Sequence, residues 1–329
     1  MISFIVPAHC RQELLQRCLQ SLKRQNCDKE IIVVDDGSTP PLHFSDPDIR
    51  VLRLDKKGGS SGARNYGASQ ARGEILFFVD SDVVLLPLQR FEFPSDVDCL
   101  MGIYSRTAGF QNFSSRYKNL YWSFNQEALS ENSFSLCTAI LAVRKSVFDG
   151  VGGFNTRSSI GEDREFGLAL KKFGARTKIE KQVRGIHHKK FGLRDLLRHH
   201  FINAQSLAKL RLRSLGAATV EEGSGGAHNR QRFSIILSPM ILGLFAMNLI
   251  YHNKGLSSLL IASIGLFLAL IWPFFHYCFK EGGFIFSIFC VFTYALECFV
   301  ASLGLAFGSA IYLLGNKDLR WENSNASGR

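Results

Sequence analysis

With 329 residues the chain has room for one sizeable α/β domain and a further region beside it. Lys and Arg outnumber Asp and Glu by 39 to 28, and the resulting charge of +11 asks for an anionic counterpart; no nucleic-acid motif and no interleaving of basic with aromatic residues is present, so nucleic acid is set aside. The eight cysteines contain no CxxC and no ligand-like pairing with histidine, and read as small buried apolar residues.

Ile2–Val6 reads as a strand and Pro7–Cys10 as its exit loop; nothing here has the form of a secretory signal. Gln12–Arg24 follows as a helix, with Leu14, Leu15, Cys18, Leu19 and Leu22 at helical spacing. Glu30–Val34 is a second strand ending in Asp35-Asp36-Gly37-Ser38, and Ile49–Leu54 a third. A turn over Gly58–Gly62 precedes a helix from about Ala63 to Ala71, and the apolar run Ile75–Val79 is a fourth strand, with Asp80-Ser81-Asp82 directly at its end. Strands alternating with helices imply a parallel sheet with right-handed crossovers and a ligand at the carboxyl ends of the strands. Four polar clusters, Pro7–Arg11, Asp35–Ser38, Gly58–Arg64 and Asp80–Asp82, fall on that one edge, as a binding crevice requires. A dinucleotide fingerprint would put GxGxxG after the first strand, where Pro7-Ala8-His9-Cys10 stands instead, so no such cofactor is expected.

Farther on, Gly161 introduces a second acidic pair, Glu162-Asp163, and a helix over Arg164–Phe173. Thr177–Ile186 is strand-like and runs into His187-His188. From Leu193 to Leu212, apolar residues at 193, 196, 197, 201, 204, 208 and 212 share one helix face, with Arg194, Arg198, Lys209 and Arg211 elsewhere; such a basic amphipathic helix can lie in a membrane interface or pack on the soluble domain. Residues 233–314 carry only Lys254, Lys280, Glu281 and Glu297 as charges. Phe233–Tyr251 and Leu256–Phe279 are uncharged and reach the length of about 20 residues that a helix needs to cross a hydrocarbon core. Phe284–Leu314 is longer, a tilted span or a span plus an interfacial piece. Arg211, Arg213, Arg230 and Arg232 precede the first span and place the soluble domain in the cytoplasm, at a plasma or bacterial inner membrane. Three spans would put the tail, with Lys317, Arg320 and Arg329, on the far side.

Taken together, Ser3-Phe4-Ile5-Val6-Pro7-Ala8-His9, Ile32-Val33-Val34-Asp35-Asp36-Gly37-Ser38, Gly62-Ala63-Arg64-Asn65, Gly73-Glu74 to Asp80-Ser81-Asp82, and Gly161-Glu162-Asp163 resemble the family 2 glycosyltransferases of GT-A fold, in the right order over about residues 2–190. The resemblance implies an α/β fold: a GT-A nucleotide-sugar-binding domain with a mostly parallel sheet over 1–190, an amphipathic helix and linker over 191–232, transmembrane helices over 233–316 and a polar tail over 317–329. It implies an inverting transfer of one sugar from a nucleotide-diphosphate sugar, a UDP-sugar being favoured, to a lipid-linked or other membrane-associated acceptor. Membrane lipids are then partners, and a Mg2+ or Mn2+ ion the cofactor.

Residue by residue, the resemblance implies that Pro7, His9 and Arg11 in the first loop and the Asp35-Asp36 turn hold the nucleoside. Either aspartate could accept from the base, since an ionised carboxylate only accepts hydrogen bonds. The family commonly has asparagine where Cys10 stands, and Arg11 is placed to compensate. Gly62 lets the backbone approach the nucleotide, and Arg64 contacts the nucleotide or its diphosphate. Asp80-Ser81-Asp82 matches the DxD motif, with Asp82 the direct metal ligand, Asp80 near the ribose or sugar and within reach of the metal, and His187 or His188 the third ligand. Asp163, beside Glu162, is the general base that takes the acceptor hydroxyl's proton. In many relatives an arginine stands where this chain has Ala169. No Gln-x-x-Arg-Trp precedes the spans, Arg230-Gln231-Arg232-Phe233 being a loose echo, which favours single-sugar transfer over processive synthesis. Two other readings remain open: transfer to a polyprenyl phosphate, which needs no base, and a non-catalytic membrane-bound nucleotide-sugar scaffold.

Overall fold

The computed structural model describes residues 1–88, 91–156, 161–214 and 226–314. The chain divides into two compact units: Met1–Leu193 with Val220–Gln231 and Ile271–Val291, and Arg194–Thr219 with Arg232–Leu270 and Phe292–Arg329. In chain order the elements are β1 (Ile2–Ala8), α1 (Gln12–Lys23), β2 (Lys29–Asp35), β3 (Ile49–Arg53), α2 (Gly59–Gln70), β4 (Ile75–Val79), β5 (Val83–Leu85), β6 (Cys99–Tyr104), α3 (Phe113–Glu127), β7 (Ile140–Arg144), α4 (Lys145–Gly150), α5 (Glu162–Phe173), β8 (Thr177–His187), α6 (Leu193–Ser214), α7 (Gly226–Tyr251) and α8 (Lys254–Leu313).

The first unit is built on one sheet of order β3-β2-β1-β4-β7-β6-β8-β5. Its β3-β2-β1-β4 half is parallel, as the alternation of strands and helices predicts. The other half is mixed: β7 runs antiparallel to β4 and β6, β8 parallel to β6, and β5 antiparallel to β8. The mostly parallel sheet expected from the sequence is thus a mixed one, with four parallel pairings and three antiparallel ones, because β7 and β5 each run against their neighbours.

β1, β2 and β4 read as unbroken apolar runs because both of their faces are covered. Successive side chains alternate between faces, so Phe4, Val6, Ile31, Val33, Phe77 and Val79 pack with Leu15, Cys18, Leu19 and Leu22 of α1. On the other face Ile5, Ile32, Val34, Leu76 and Phe78 meet Ala63 and Ala68 of α2, Phe148 of α4 and Phe166 and Leu170 of α5. Two boundaries differ from the sequence reading. Pro7 lies inside β1, opposite Val34, and costs nothing there because the ladder to β4 has already ended at Ile5. Helix α2 starts at Gly59 rather than at Ala63, because the carboxylate of Asp36 accepts from the N–H groups of Gly58 (2.6 Å) and Gly59 (3.0 Å). That cap comes from a residue distant in sequence, so no local signal announces it.

Asn229–Tyr251 and Lys254–Leu313 are long and apolar enough to cross a membrane. The second is broken at Gly283, where φ of 76° and ψ of −176° interrupt the helix. A side chain would resist this backbone, whereas glycine adopts it readily. The three apolar stretches of the sequence thus stand as α7 and the two arms of α8. The break itself belongs to the first unit, docked on α3. Phe274 packs edge-on against Tyr117 and Tyr121, and the Tyr277 hydroxyl lies 2.9 Å from that of Ser123. Arg106 reaches Glu127 and Glu281 and stacks over Tyr277, while Arg116 stacks over Phe286.

In the second unit, α6 packs against the outer arm of α8. A Cβ on Gly304 would lie 2.5 Å from the Phe201 carbonyl, so the two backbones cross in contact. Phe201 meets Phe307, and His200 Nε2 lies 3.2 Å from the buried Glu297. The part of the apolar face of α6 around Phe201 and Ala204 is thereby covered by α8 rather than left bare for an interface. Arg211, Arg213 and the tail with Lys317, Arg320 and Arg329 have side chains outside the described residues.

Candidate active site

Four strand ends and two helix starts build the site. The first is the loop after β1, where Cys10 and Arg11 both adopt left-handed backbone, with φ of 56° and 57°. His9 Nδ1 lies 2.9 Å from the Asp36 carbonyl, and the Cys10 N–H donates to the Ser38 hydroxyl at 2.8 Å. These bonds lash the loop to the end of β2. Asparagine tolerates left-handed backbone far better than cysteine, and the Ser38 bond uses only the main chain. Cys10→Asn is therefore expected to raise the midpoint of thermal unfolding, by the equivalent of about 0.5–1 kcal/mol.

Asp35 is 1% exposed and turned into its own loop, accepting from the N–H groups of Ser38 and Leu42 and from Arg53. Burial alone would push its carboxyl up, but these donors hold it below the ordinary carboxylate value. Asp36 spends both oxygens on Gly58 and Gly59. Both aspartates of the pair thus brace the loops of the edge. Gly62, the fourth residue of α2, has open space where a Cβ would stand.

At the end of β4, Asp80 and Asp82 diverge. Asp80 Oδ1 accepts from Arg64 Nη2 at 2.7 Å. Asp82 has other partners, with its Oδ1 3.5 Å from His187 Nε2 and its Oδ2 3.9 Å from Arg11 Nη1. The pairing of β5 with β8 explains this: Val83 stands opposite His187, so the histidine arrives one residue from the motif, and the His188 N–H donates to the Asp82 carbonyl at 2.7 Å. His187, rather than His188, is the one whose ring faces Asp82. That ring is buried among Tyr104, Trp122 and Phe191. Burial would raise the Asp82 carboxyl, yet His187 first, and Lys189 and Arg11 after it, keep it below its ordinary value.

Helix α5 begins after Gly161 with Glu162 and Asp163 in its first turn, where carboxylates offset the positive helix end. Arg64 connects this turn to the motif, since its Nη1 lies 3.7 Å from Glu162 Oε1 while its Nη2 holds Asp80. The Ser60 hydroxyl adds a 3.3 Å bond to Glu162. Asp163 accepts from the Thr138 hydroxyl at 3.1 Å. Burial pushes the Asp163 carboxyl up to about 6; Glu162 and Asp80 add to the push, and Arg64 and Thr138 oppose it. A carboxylate with that value is poised to exchange a proton near neutral pH. Thr138, Tyr104, Trp122 and Arg53 escaped the sequence reading, since none lies in a recognisable motif.

Among the described residues no group of three or more His, Cys, Asp or Glu is placed to hold a metal unaided. Asp82 and His187 offer one oxygen and one nitrogen donor side by side, which suits a divalent ion that completes its shell on the phosphates of a ligand.

The Glycosyl transferase family 2 model matches residues 3–152. Over 243 residues the chain is 29% identical to the pre-mycofactocin glycosyltransferase of Mycobacterium tuberculosis, covering 69% of this chain and 51% of that protein. It is 28% identical to the O-antigen biosynthesis protein RfbC of Myxococcus xanthus, over 57% of this chain and 17% of the other. It is also 38% identical over 94 residues to the GalNAc(5)-diNAcBac-PP-undecaprenol beta-1,3-glucosyltransferase of Campylobacter jejuni, over 26% of this chain and 30% of that protein. The chain therefore spans about half the length, or less, of these relatives. A mannosyltransferase of Pyrobaculum calidifontis, solved in complex with GDP-Man and Mn2+, shares the fold with a TM-score of 0.58 at 17% identity, over 92% of this chain and 86% of that one. Motif order, sheet and matched segment agree: the chain carries a family 2 glycosyltransferase domain on the GT-A fold.

Proposed function

We propose that the protein is an inverting glycosyltransferase that moves one sugar from a nucleotide-diphosphate donor to the hydroxyl of a lipid-linked acceptor, in O-antigen or other cell-surface polysaccharide assembly. The observation that carries this reading is the ion-pair chain Asp80–Arg64–Glu162, which joins the strand-end motif to the acidic helix start beside Asp163. Asp163 accepts the hydroxyl proton as that oxygen bonds to the anomeric carbon; the bond from this carbon to the diphosphate oxygen breaks on the opposite side, and the configuration inverts. The exposed Arg11 offers positive charge to the departing diphosphate. Asp82 and His187 are the groups that would hold Mg2+ or Mn2+, which when bound neutralises charge on the diphosphate. The P. calidifontis enzyme, solved with Mn2+, supports such an ion here, and its GDP-Man keeps GDP-sugars beside UDP-sugars as donors to test.

The C. jejuni relative, named for an undecaprenol-linked substrate, supports a lipid-linked acceptor. An ionised Asp163 would repel a phosphate nucleophile that needs no base, which favours a hydroxyl over a polyprenyl phosphate. Arg230 and Arg232, which precede the first apolar span, favour a cytoplasmic site.

The test is nucleoside diphosphate release by the full chain in lipid nanodiscs, given UDP- and GDP-sugars and a bacterial glycolipid extract. Release that needs the extract, stops with EDTA and returns with Mn2+ is expected. Full release in EDTA would remove the metal from the reading, and donor binding without release from any pairing would favour the scaffold.

A further inference from the structure

We infer that Arg64 is a positioning residue, a buried strut that holds the strand-end motif and the acidic start of α5 in one fixed relation, rather than a contact for the donor's phosphates. The inference rests on the function proposed above for those two elements. Arg64 is 3% exposed, although it comes from the first turns of a helix at the nucleotide edge. Its guanidinium is enclosed by Asp80 at 2.7 Å, Glu162 at 3.7 Å and the Phe154 ring, whose centroid is 5.5 Å away. A phosphate could reach it only by displacing a carboxylate.

The neighbours of Arg64 on α2 serve the same junction. Asn65 brackets the Phe154 main chain, donating to its carbonyl at 2.8 Å and accepting from its N–H at 2.9 Å. Ser60, one helical turn before Arg64 and on the same face, binds Glu162. Three side chains of one helix thus hold Phe154 and the first turn of α5, while Arg64 extends to the end of β4 as well. Among the described residues Nε and Nη1 of Arg64 have no hydrogen-bond partner, and Nη1 is the atom that faces Glu162. An approach of α5 by about 0.8–1 Å would turn that ion pair into a charge-assisted hydrogen bond. The strut therefore carries unspent capacity directed at the helix of the proposed base.

Charge gives the strut a second role. Asp163 faces Glu162 on its own helix, Arg64 on α2, Asp80 at the end of β4, and Thr138 before β7. Arg64 is the cation of that set, and without it three carboxylates stand together.

Arg64→Lys and Arg64→Gln separate strut from donor contact. Expected for both is a dissociation constant for UDP and GDP with Mn2+, by calorimetry, within about threefold of wild type, and a turnover lower by roughly tenfold or more. The acid limb of the kcat/KM profile should move to higher pH in Arg64→Gln and return toward wild type in Arg64→Lys. Nucleotide affinity weakened by about tenfold or more with an unmoved limb overturns the inference. In thermal unfolding, Arg64→Lys and Glu162→Gln should be non-additive, and additivity counts against the strut. The calorimetric and unfolding readouts need no turnover. If Asp163→Asn proved active, the proposed function would fall while these two still judged Arg64.

Discussion

Asp163→Asn is expected to cut sugar transfer by about a hundred- to ten-thousand-fold, the range of a lost general base, while donor binding persists and the protein becomes more stable at pH 8. The two effects share one cause. Burial, with Glu162 and Asp80, raises the Asp163 carboxyl to about 6, so the folded protein binds this proton more tightly than the unfolded chain does. A group raised on folding contributes stability that is fully present below its unfolded value and is lost as pH rises through its folded one. At pH 8 the ionised carboxylate thus costs on the order of 2–3 kcal/mol, which a neutral, nearly isosteric amide that still accepts from Thr138 avoids. The stability gain should shrink toward nothing near pH 4. Wild-type kcat/KM should fall as pH drops through about 6, because only the ionised carboxylate removes a proton. Turnover that survives the substitution, or an amide variant less stable at pH 8, would refute the assignment.

That carboxylate also shows what the sequence could and could not reveal. Its position after Gly161 at a helix start was legible, as was the end of β4 at Asp80, because a parallel strand buried on both faces is an apolar run that stops where its polar edge begins. The environment that tunes it was not legible. Thr138 precedes β7 in a stretch whose strands pair with partners far away in sequence, and Arg64 meets Glu162 across 97 intervening positions of chain. The start of α2 was missed for the same reason, since Asp36 caps it from β2. His187 was found as a residue, but its slot between Tyr104 and Trp122 depends on β6 and α3, which carry no motif. Local pattern gives elements and their polar ends; the partners that set a pKa or a ring orientation are chosen by the pairing order of the sheet.

The second large effect concerns Asp82. Its carboxylate lies between the Nε2 of His187 and the guanidinium of Arg11. Asp82 and His187 are the groups that would hold a divalent ion there. Removing the carboxylate leaves one imidazole as the nearest donor, too few for a hard cation that prefers oxygen. Asp82→Ala is thus expected to lower Mn2+-supported release by about a thousandfold, equivalent to roughly 4 kcal/mol. It should also abolish the thermal stabilisation by Mn2+ with UDP or GDP, which for wild type at a hundred times the dissociation constant is about 2.7 kcal/mol. The metal-free comparison has its own sign. Because His187 and Arg11 hold the Asp82 carboxyl below its ordinary value, its contribution to stability is present above the unfolded value and lost as pH falls through the folded one. Asp82→Ala should therefore be less stable than wild type in EDTA at pH 7, and the difference should close on acidification. His187→Gln separates the two roles: it keeps the carboxylate for the cation while removing the imidazole, so Mn2+ should still stabilise the protein, with weaker affinity. An Asp82→Ala protein that kept the full Mn2+ response would show that the ion, if it binds, is held elsewhere.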